Sequence, residues 1–130
     1  EVVGFIIAVP SPCKPNDLEV ISIVYDIPED ATSYSTNITK GLEDLVNEEL
    51  RKNRDKAYRI ALIPIHTHPS YNRPTIEDVR SLNKLYQYSL ENYDCNKVCI
   101  ANIGIIVDAT ENPRRRSAIA YDTRGYYREI

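Results

Sequence analysis

The first part of the chain is dominated by an almost continuous apolar run. Residues 1–9 are β-rich and are interrupted only by Gly4, which indicates a strand buried on both faces. Residues 10–17 contain three prolines and predict a loop, because proline cannot donate to a β-ladder. Residues 18–25 alternate well enough for a second strand, which we expect to pair with the first as a hairpin.

The pattern then changes to helical spacing. Residues 26–32 predict a turn region and residues 33–38 a short edge strand. Asn37 or Thr39 is a suitable cap for a helix that continues to about Arg54. The stripe expected to face the core is apolar except at Glu49 and also contains Leu42, Leu45, Val46 and Leu50.

A central strand and a second helix follow. Residues 57–66 predict a strand, and Pro64 argues against regular pairing, so we expect the strand to lose a partner just before the histidines. Thr75, with Asp78 three residues later, is typical of a helix N-cap, and that helix is expected to end near Tyr93. Its apolar positions at helical spacing are Val79, Leu82, Leu85, Tyr86, Leu90 and Tyr93.

The last third predicts strands. Residues 98–107 form one long apolar strand, residues 108–116 a turn, and residues 117–121 and 126–128 two short strands around the turn at 122–125. Strands separated by two helices predict an α+β protein in the broad α/β class. We expect a mixed, mostly antiparallel sheet flanked by helices, in layers of helix, sheet and helix.

Composition narrows the class of protein. A chain of 130 residues with 42% hydrophobic and 27% charged residues is expected to form one globular domain over 1–130. No apolar stretch approaches the roughly 20 residues of a membrane span, and no signal peptide is evident. A net charge of −3 argues against a nucleic-acid surface. Neither a membrane nor a nucleic acid is therefore expected as a partner.

The three cysteines, Cys13, Cys95 and Cys99, lack the spacing of a four-cysteine zinc site. Free thiols in a reducing cytoplasm are the default expectation. A Cys95–Cys99 or a Cys13–Cys95 disulfide is the alternative.

The candidate chemistry is concentrated in one stretch. His66 and His68 are the only histidines, and residues i and i+2 of a strand share a face. Asp78 follows ten residues after His68, just inside the second helix. These three side chains predict a metal site with an open fourth position. Zn²⁺ suits the ligands and would lower the pKa of a bound water to about 7, but Fe²⁺ also uses two histidines and a carboxylate, so the spacing leaves the metal open.

Three segments together resemble the JAMM/MPN+ zinc metalloprotease signature. They are residues 1–7 (Glu-Val-Val-Gly-Phe-Ile-Ile), residues 66–69 (His-Thr-His-Pro) and residues 75–78 (Thr-Ile-Glu-Asp). That signature has a glutamate on an early strand, His-Ser/Thr-His-Pro, a short loop and Ser-x-x-Asp. The resemblance covers nearly the whole chain because the order of elements also matches. It implies the MPN/JAMM fold, which is similar to that of cytidine deaminases.

The resemblance also implies roles and a reaction. His66, His68 and Asp78 would bind zinc, Glu1 would be the general base, and Thr75 would take the place of the serine that stabilises the oxyanion. The implied reaction is hydrolysis of the isopeptide or peptide bond after the C-terminal Gly-Gly of a ubiquitin-like modifier or sulfur-carrier protein. The compact chain resembles archaeal and bacterial members. Apolar strands at both ends of the chain could support a homodimer or a larger complex.

Some features depart from the signature. The loop before Asp78 is one residue shorter than usual, and Thr75 replaces serine. The chain starts at Glu1 and contains no methionine, so we expect its natural N-terminus to be missing. Two alternatives stay open, namely a non-catalytic MPN scaffold subunit and a RadC-like protein of DNA repair. The RadC-like motif has asparagine where this chain has Thr67, and it carries a glycine in the loop.

Overall fold

A computed structural model describes residues 2–14, 17–26, 40–53, 59–68, 73–108 and 117–130. The elements in chain order are β1 (Val3–Pro10), β2 (Leu18–Asp26), α1 (Lys40–Lys52), β3 (Ile60–His68), α2 (Ile76–Asn92), β4 (Val98–Ile100), β5 (Ile103–Asp108), β6 (Ala118–Asp122) and β7 (Tyr127–Glu129). The described part of the chain is therefore a mixed α+β structure, as the hydrophobic pattern predicts.

The strands form one seven-stranded sheet in the order β2-β1-β3-β5-β6-β7, with β4 also paired to β3. The pairs β1–β2, β1–β3, β5–β6 and β6–β7 are antiparallel. Among the described strands, only the pairs that β3 makes with β4 and β5 are parallel. The expected mostly antiparallel, mixed sheet is confirmed.

Strand β1 is buried on both faces, since every residue from 3 to 8 is buried. It pairs with β2 in the predicted antiparallel manner, with Gly4 opposite Tyr25. A Cβ atom at Gly4 would collide with the carbonyl oxygen of Val24. The glycine is therefore required by the close approach of β2, not by a turn.

Strand β3 extends two residues beyond the predicted end, so both histidines lie within it. The expectation that β3 loses a partner before the histidines is wrong. On one side it stays paired with β1, where Pro64 lies opposite Phe5 and His66 opposite Val3. On the other side β4 pairs as far as Leu62 and β5 takes over from Ile65. Pro64, which has no N–H to donate, lies where the parallel partner changes.

The single long strand predicted over 98–107 is also incorrect. Ala101 and Asn102 interrupt it, so that β4 and β5 pair with successive parts of the same neighbour, β3. The predicted final hairpin is confirmed, and its turn is closed by the N–H of Gly125 donating to the carbonyl oxygen of Asp122 over 3.0 Å. Gly125 has a φ of 92°, which favours glycine.

Both described helices pack against the same face of the sheet, which corrects the expected helix–sheet–helix layering. Val46 of α1 joins the buried cluster of β1 residues, and Leu85 of α2 packs against that same cluster. Leu82 of α2 packs with Ile106 and Tyr121 further along the sheet. On the opposite face, a smaller cluster is formed by sheet residues with no described helix in it; its buried members are Ile6, Ala8 and Ile63.

The helices agree with the predicted bounds except at the end of α1, and two predicted core positions are exposed. The second helix begins and ends where Thr75 and Tyr93 predict, whereas α1 begins at Lys40 and ends two residues before Arg54. Leu45 and Leu90 are exposed because the sheet contacts a narrower stripe than the apolar pattern suggests. The predicted edge strand over 33–38 lies outside the described residues, as does nearly all of the turn predicted over 108–116.

Two further sequence expectations concern the cysteines and membranes. Cys95 and Cys99 form a disulfide, which corrects the default of free thiols, whereas Cys13 is free and exposed. In the described ranges, no helix combines the length and apolar character needed to cross a bilayer.

Two of the three leucines of α2, Leu82 and Leu90, provide a matched test of the packing. Leu82 is 1% exposed and Leu90 is 47% exposed. We expect Leu82→Ala to lower the free energy of unfolding by about 2–5 kcal/mol, because it leaves a cavity between the helix and the sheet. Leu90→Ala should lower it by less than about 1 kcal/mol. Urea unfolding followed by circular dichroism measures both, and equal losses would contradict this packing.

Candidate metal centre

The two histidines project from the carboxyl end of β3 onto the face covered by the helices. His66 lies between Val3 of β1 and Ile106 of β5, and His68 lies opposite Asp108 at the end of β5. Both imidazoles are buried. Since β3 and β5 are parallel, their carboxyl ends meet at one edge, which is where open sheets commonly bind ligands.

Helix α2 supplies the third side chain through its first turn. Thr75 is the N-cap, and its hydroxyl oxygen accepts a hydrogen bond from the N–H of Asp78 over 3.1 Å. In return, Oδ2 of Asp78 accepts from the N–H of Thr75 over 2.8 Å. This reciprocal capping box fixes the rotamer of the carboxylate at the same time as it starts the helix.

The three side chains converge on one point. His66 Nε2 and His68 Nε2 are 3.1 Å apart. Asp78 Oδ1 lies 3.2 Å from His66 Nε2, and Oδ2 lies 3.3 Å from His68 Nε2. His66, His68 and Asp78 therefore form a group that could hold a metal ion.

The surroundings keep Asp78 ionised. Burial by itself raises the pKa of this carboxyl group, but the contact with His66, the N–H of Thr75 and the nearby imidazoles together hold it below its usual value. A metal ligand must be deprotonated, so this environment prepares Asp78 for that role at neutral pH.

The donor set fits a small divalent cation. Ligand atoms bound at about 2.0 Å to one tetrahedral zinc ion lie about 3.3 Å from one another. The two imidazole nitrogens are 3.1 Å apart, and each lies 3.2 or 3.3 Å from a different oxygen of Asp78. Asp78 Oδ1 is buried and forms no hydrogen bond with the described residues, although it faces His66 Nε2. A cation between these atoms would satisfy the oxygen and both imidazole lone pairs together.

Thr67, between the histidines, fastens the start of β1 to this site. Its N–H donates to the carbonyl oxygen of Val2 over 3.0 Å, and its hydroxyl accepts from the N–H of Val2 over 2.9 Å. Glu1, the predicted general base, lies outside the described residues. Val2, the residue that follows Glu1, is held directly beside the histidine pair by its two hydrogen bonds to Thr67.

Thr75, predicted to stabilise an oxyanion, has a structural role in the described contacts. Its hydroxyl oxygen caps α2, as above, and the side chain is half-buried beside Asp78. In the described contacts this hydroxyl acts only as an acceptor.

Sequence reasoning missed Tyr121, which packs against His66. Its ring meets that of His66 edge-on, with centroids 6.2 Å apart, and it is 2% exposed. Burial and the charge of Asp78 raise the pKa of Tyr121, so its hydroxyl stays neutral. A Cβ atom at Gly104 would lie 2.7 Å from this ring, so the glycine makes room for it. A glycine within a strand was the available signal, because it often marks such an approach.

Among the described residues, the buried Nδ1 of His66 has no hydrogen-bond partner of the kind that commonly orients a ligand histidine. The edge-on contact with Tyr121 is a packing interaction that restricts this imidazole.

No protein-family model and no curated protein matches this chain. The interpretation of the site therefore depends on the sequence signature and on the geometry described above.

The packing of Tyr121 on Gly104 generates a prediction. We expect Gly104→Ala to displace the ring and weaken metal binding by about 10- to 100-fold, the range seen when groups supporting metal ligands are lost. Tyr121→Phe keeps the ring and should bind metal within a few-fold of the parent. Competition with a chromophoric chelator measures affinity, and the visible spectrum of the Co²⁺ form reports ligand geometry. An unchanged spectrum and affinity in Gly104→Ala would show that Tyr121 does not orient His66.

Proposed function

We propose that this chain is a zinc-dependent isopeptidase or peptidase of the JAMM/MPN+ type. Its substrate in this proposal is the bond after the C-terminal Gly-Gly of a ubiquitin-like modifier or sulfur-carrier protein. The observation that carries the proposal is the convergence of His66, His68 and Asp78, each buried, on one point at the carboxyl end of β3.

The roles follow from the chemistry of each side chain. His66, His68 and Asp78 would hold the metal, and zinc would supply the Lewis acidity that activates water and polarises a carbonyl group. Glu1 would accept a proton from the attacking water and deliver it to the leaving amine, as a general base and then a general acid. The hydroxyl proton of Thr75 would be donated to the oxygen that develops negative charge.

The position of Val2 supports the role of Glu1. Two hydrogen bonds tie Val2 to Thr67, and consecutive Cα atoms are about 3.8 Å apart. Val2, the chain neighbour of Glu1, is therefore attached next to the strand that carries both histidines. A carboxylate is the expected base here, because both histidines of the chain belong to the metal group.

We further propose that the protein acts in the cytoplasm as a compact enzyme on small β-grasp modifiers. The resemblance to archaeal and bacterial members supports this choice over polyubiquitin. Only four residues separate His68 from Arg73. That leaves little chain for the insertions with which larger relatives select a polyubiquitin linkage.

Metal content provides the first test. Protein purified without added metal should contain about one equivalent of zinc, measured by inductively coupled plasma mass spectrometry. His68→Ala should lose it, and Asp78→Asn, which preserves the shape of the capping residue, should bind it at least tenfold more weakly. Circular dichroism checks that both variants fold. Parent protein that carries iron in place of zinc would contradict the proposed cofactor, and full metal content in the folded variants would remove the site.

Cleavage provides the second test. The protein should release a reporter fused behind a Gly-Gly-ended modifier, and a chelator should stop the reaction. Glu1→Gln should retain zinc and lose at least about 100-fold in rate, since a general base contributes about 10²–10⁴-fold. Glu77→Gln is the matched control, because Glu77 is an exposed carboxylate in the first turn of α2, near the same site.

A fusion with Ala-Ala in place of Gly-Gly tests the specificity. Equal cleavage of both fusions would contradict the proposed substrate. A loss of rate in Glu77→Gln, with Glu1→Gln fully active, would assign the base to Glu77.

A further inference from the structure

The structure contains a cavity of about 430 Å³ at the end of β3 that is remote from the histidines. It lies beside Ile60 and Ala61, the first residues of that strand, and Leu18 and Leu90 contribute apolar walls. Its volume falls in the range of small-molecule sites. The Cys95–Cys99 disulfide forms part of the wall.

The surroundings of both cysteine sulfur atoms suit the thiol form as well as the disulfide. Cys95 and Cys99 are partly exposed, so a reagent in the cavity can reach them. Behind them lies Ser89, which is fully buried in α2. Its hydroxyl is 3.4 Å from Cys99 Sγ and its carbonyl oxygen is 3.6 Å from Cys95 Sγ.

Those oxygens are suitable acceptors for thiol protons. The hydroxyl of Ser89 lies 2.8 Å from the carbonyl oxygen of Tyr86, to which it donates, so its lone pairs are left for Cys99. An S–H group is a weak donor that a disulfide lacks. Each cysteine therefore has a hydrogen-bond acceptor that only the reduced form uses, which is expected of a pair that exchanges between two states.

The cavity also carries one positive charge. Arg59 is exposed at its edge and is the only charged side chain among the described residues that line it. Ile60, which follows Arg59, donates its N–H to the carbonyl oxygen of Lys97 over 2.7 Å. This bond holds the start of β3 against the turn between the two cysteines. A guanidinium beside a disulfide attracts an anionic thiol and favours the attacking thiolate.

From these contacts we propose that Cys95 and Cys99 form a thiol–disulfide exchange site for small thiols that carry a carboxylate. The thiolate attacks one cysteine sulfur, the S–S bond breaks, and the electron pair leaves on the other cysteine, which takes a proton from water. A second thiolate attacks the mixed disulfide and releases the first cysteine. Two thiols are oxidised to their disulfide as the protein disulfide is reduced to two thiols.

Such a site agrees with the compartment proposed above. Disulfides of cytosolic proteins are usually catalytic or redox-sensing, and not permanent staples. The chemistry does not use the metal group, which lies at the other end of β3. Failure of this proposal would therefore leave the proposed hydrolase unaffected, and the reverse also holds.

The experiment uses the chain with Cys13→Ser, which removes the remaining free thiol. Its disulfide is treated with 3-mercaptopropionate, 2-mercaptoethanol or cysteamine, which are anionic, neutral and cationic. Acid-quenched samples are analysed by intact mass for the mixed disulfide and the dithiol. Rate constants are expressed per thiolate, so that differences in thiol pKa do not enter.

We expect Arg59→Gln to slow exchange with 3-mercaptopropionate about tenfold, the low end for charge focusing in a cleft. Exchange with 2-mercaptoethanol should slow by no more than about twofold, because its attacking thiolate carries one negative charge and that of 3-mercaptopropionate carries two. Arg80→Gln is the matched control, because it removes the same charge from an exposed residue of α2 that pairs with Glu77 instead. That variant should match the parent, and added salt should reduce the preference for the anionic thiol.

Two results would overturn the proposal. One is a disulfide that reacts only at the rate of global unfolding, which would make it a structural crosslink. The other is the same rate for all three thiols in the parent and in Arg59→Gln. Zinc content, measured in each variant, should stay unchanged throughout.

Discussion

The structure depends on burying the carboxylate of Asp78 without loss of its charge. Removing an ion from water is costly unless it is paired and hydrogen-bonded. Here the N–H of Thr75 and the imidazoles of His66 and His68 surround it, and its pKa stays below the usual value. Since these partners come from the start of α2 and the end of β3, the buried carboxylate ties the helix to the strand at this point.

The sheet provides the stiffness that this arrangement needs. Strand β3 pairs with β1 on one side and with parallel partners on the other, so the histidine pair is supported from both edges. Thr67 ties the start of β1 to the same point, and Tyr121, packed on Gly104, supports His66 from β6. Separate parts of the chain therefore converge on one small group of atoms.

Local patterns predicted much of this fold. Alternation and apolar runs located β1, β2 and β3, and the cap at Thr75 gave the start of α2, because these signals arise within a few neighbouring residues. The errors concern relations between distant residues. The division of the 98–107 run into two strands depends on how β4 and β5 share the edge of β3. The placement of both helices on one face depends on packing that no local pattern records.

The sequence by itself determined which side chains form the candidate site. The only two histidines of the chain, at i and i+2 of a strand, share a face, and Asp78 belongs to the cap of the next helix. Only the tertiary structure decided that each imidazole Nε2 lies within 3.3 Å of an oxygen of Asp78 and that Tyr121 packs against His66. It also decided that Cys95 and Cys99 pair beside a cavity. The physical reason is that distances between separate elements follow from strand register and from helix packing on the sheet, which span tens of residues.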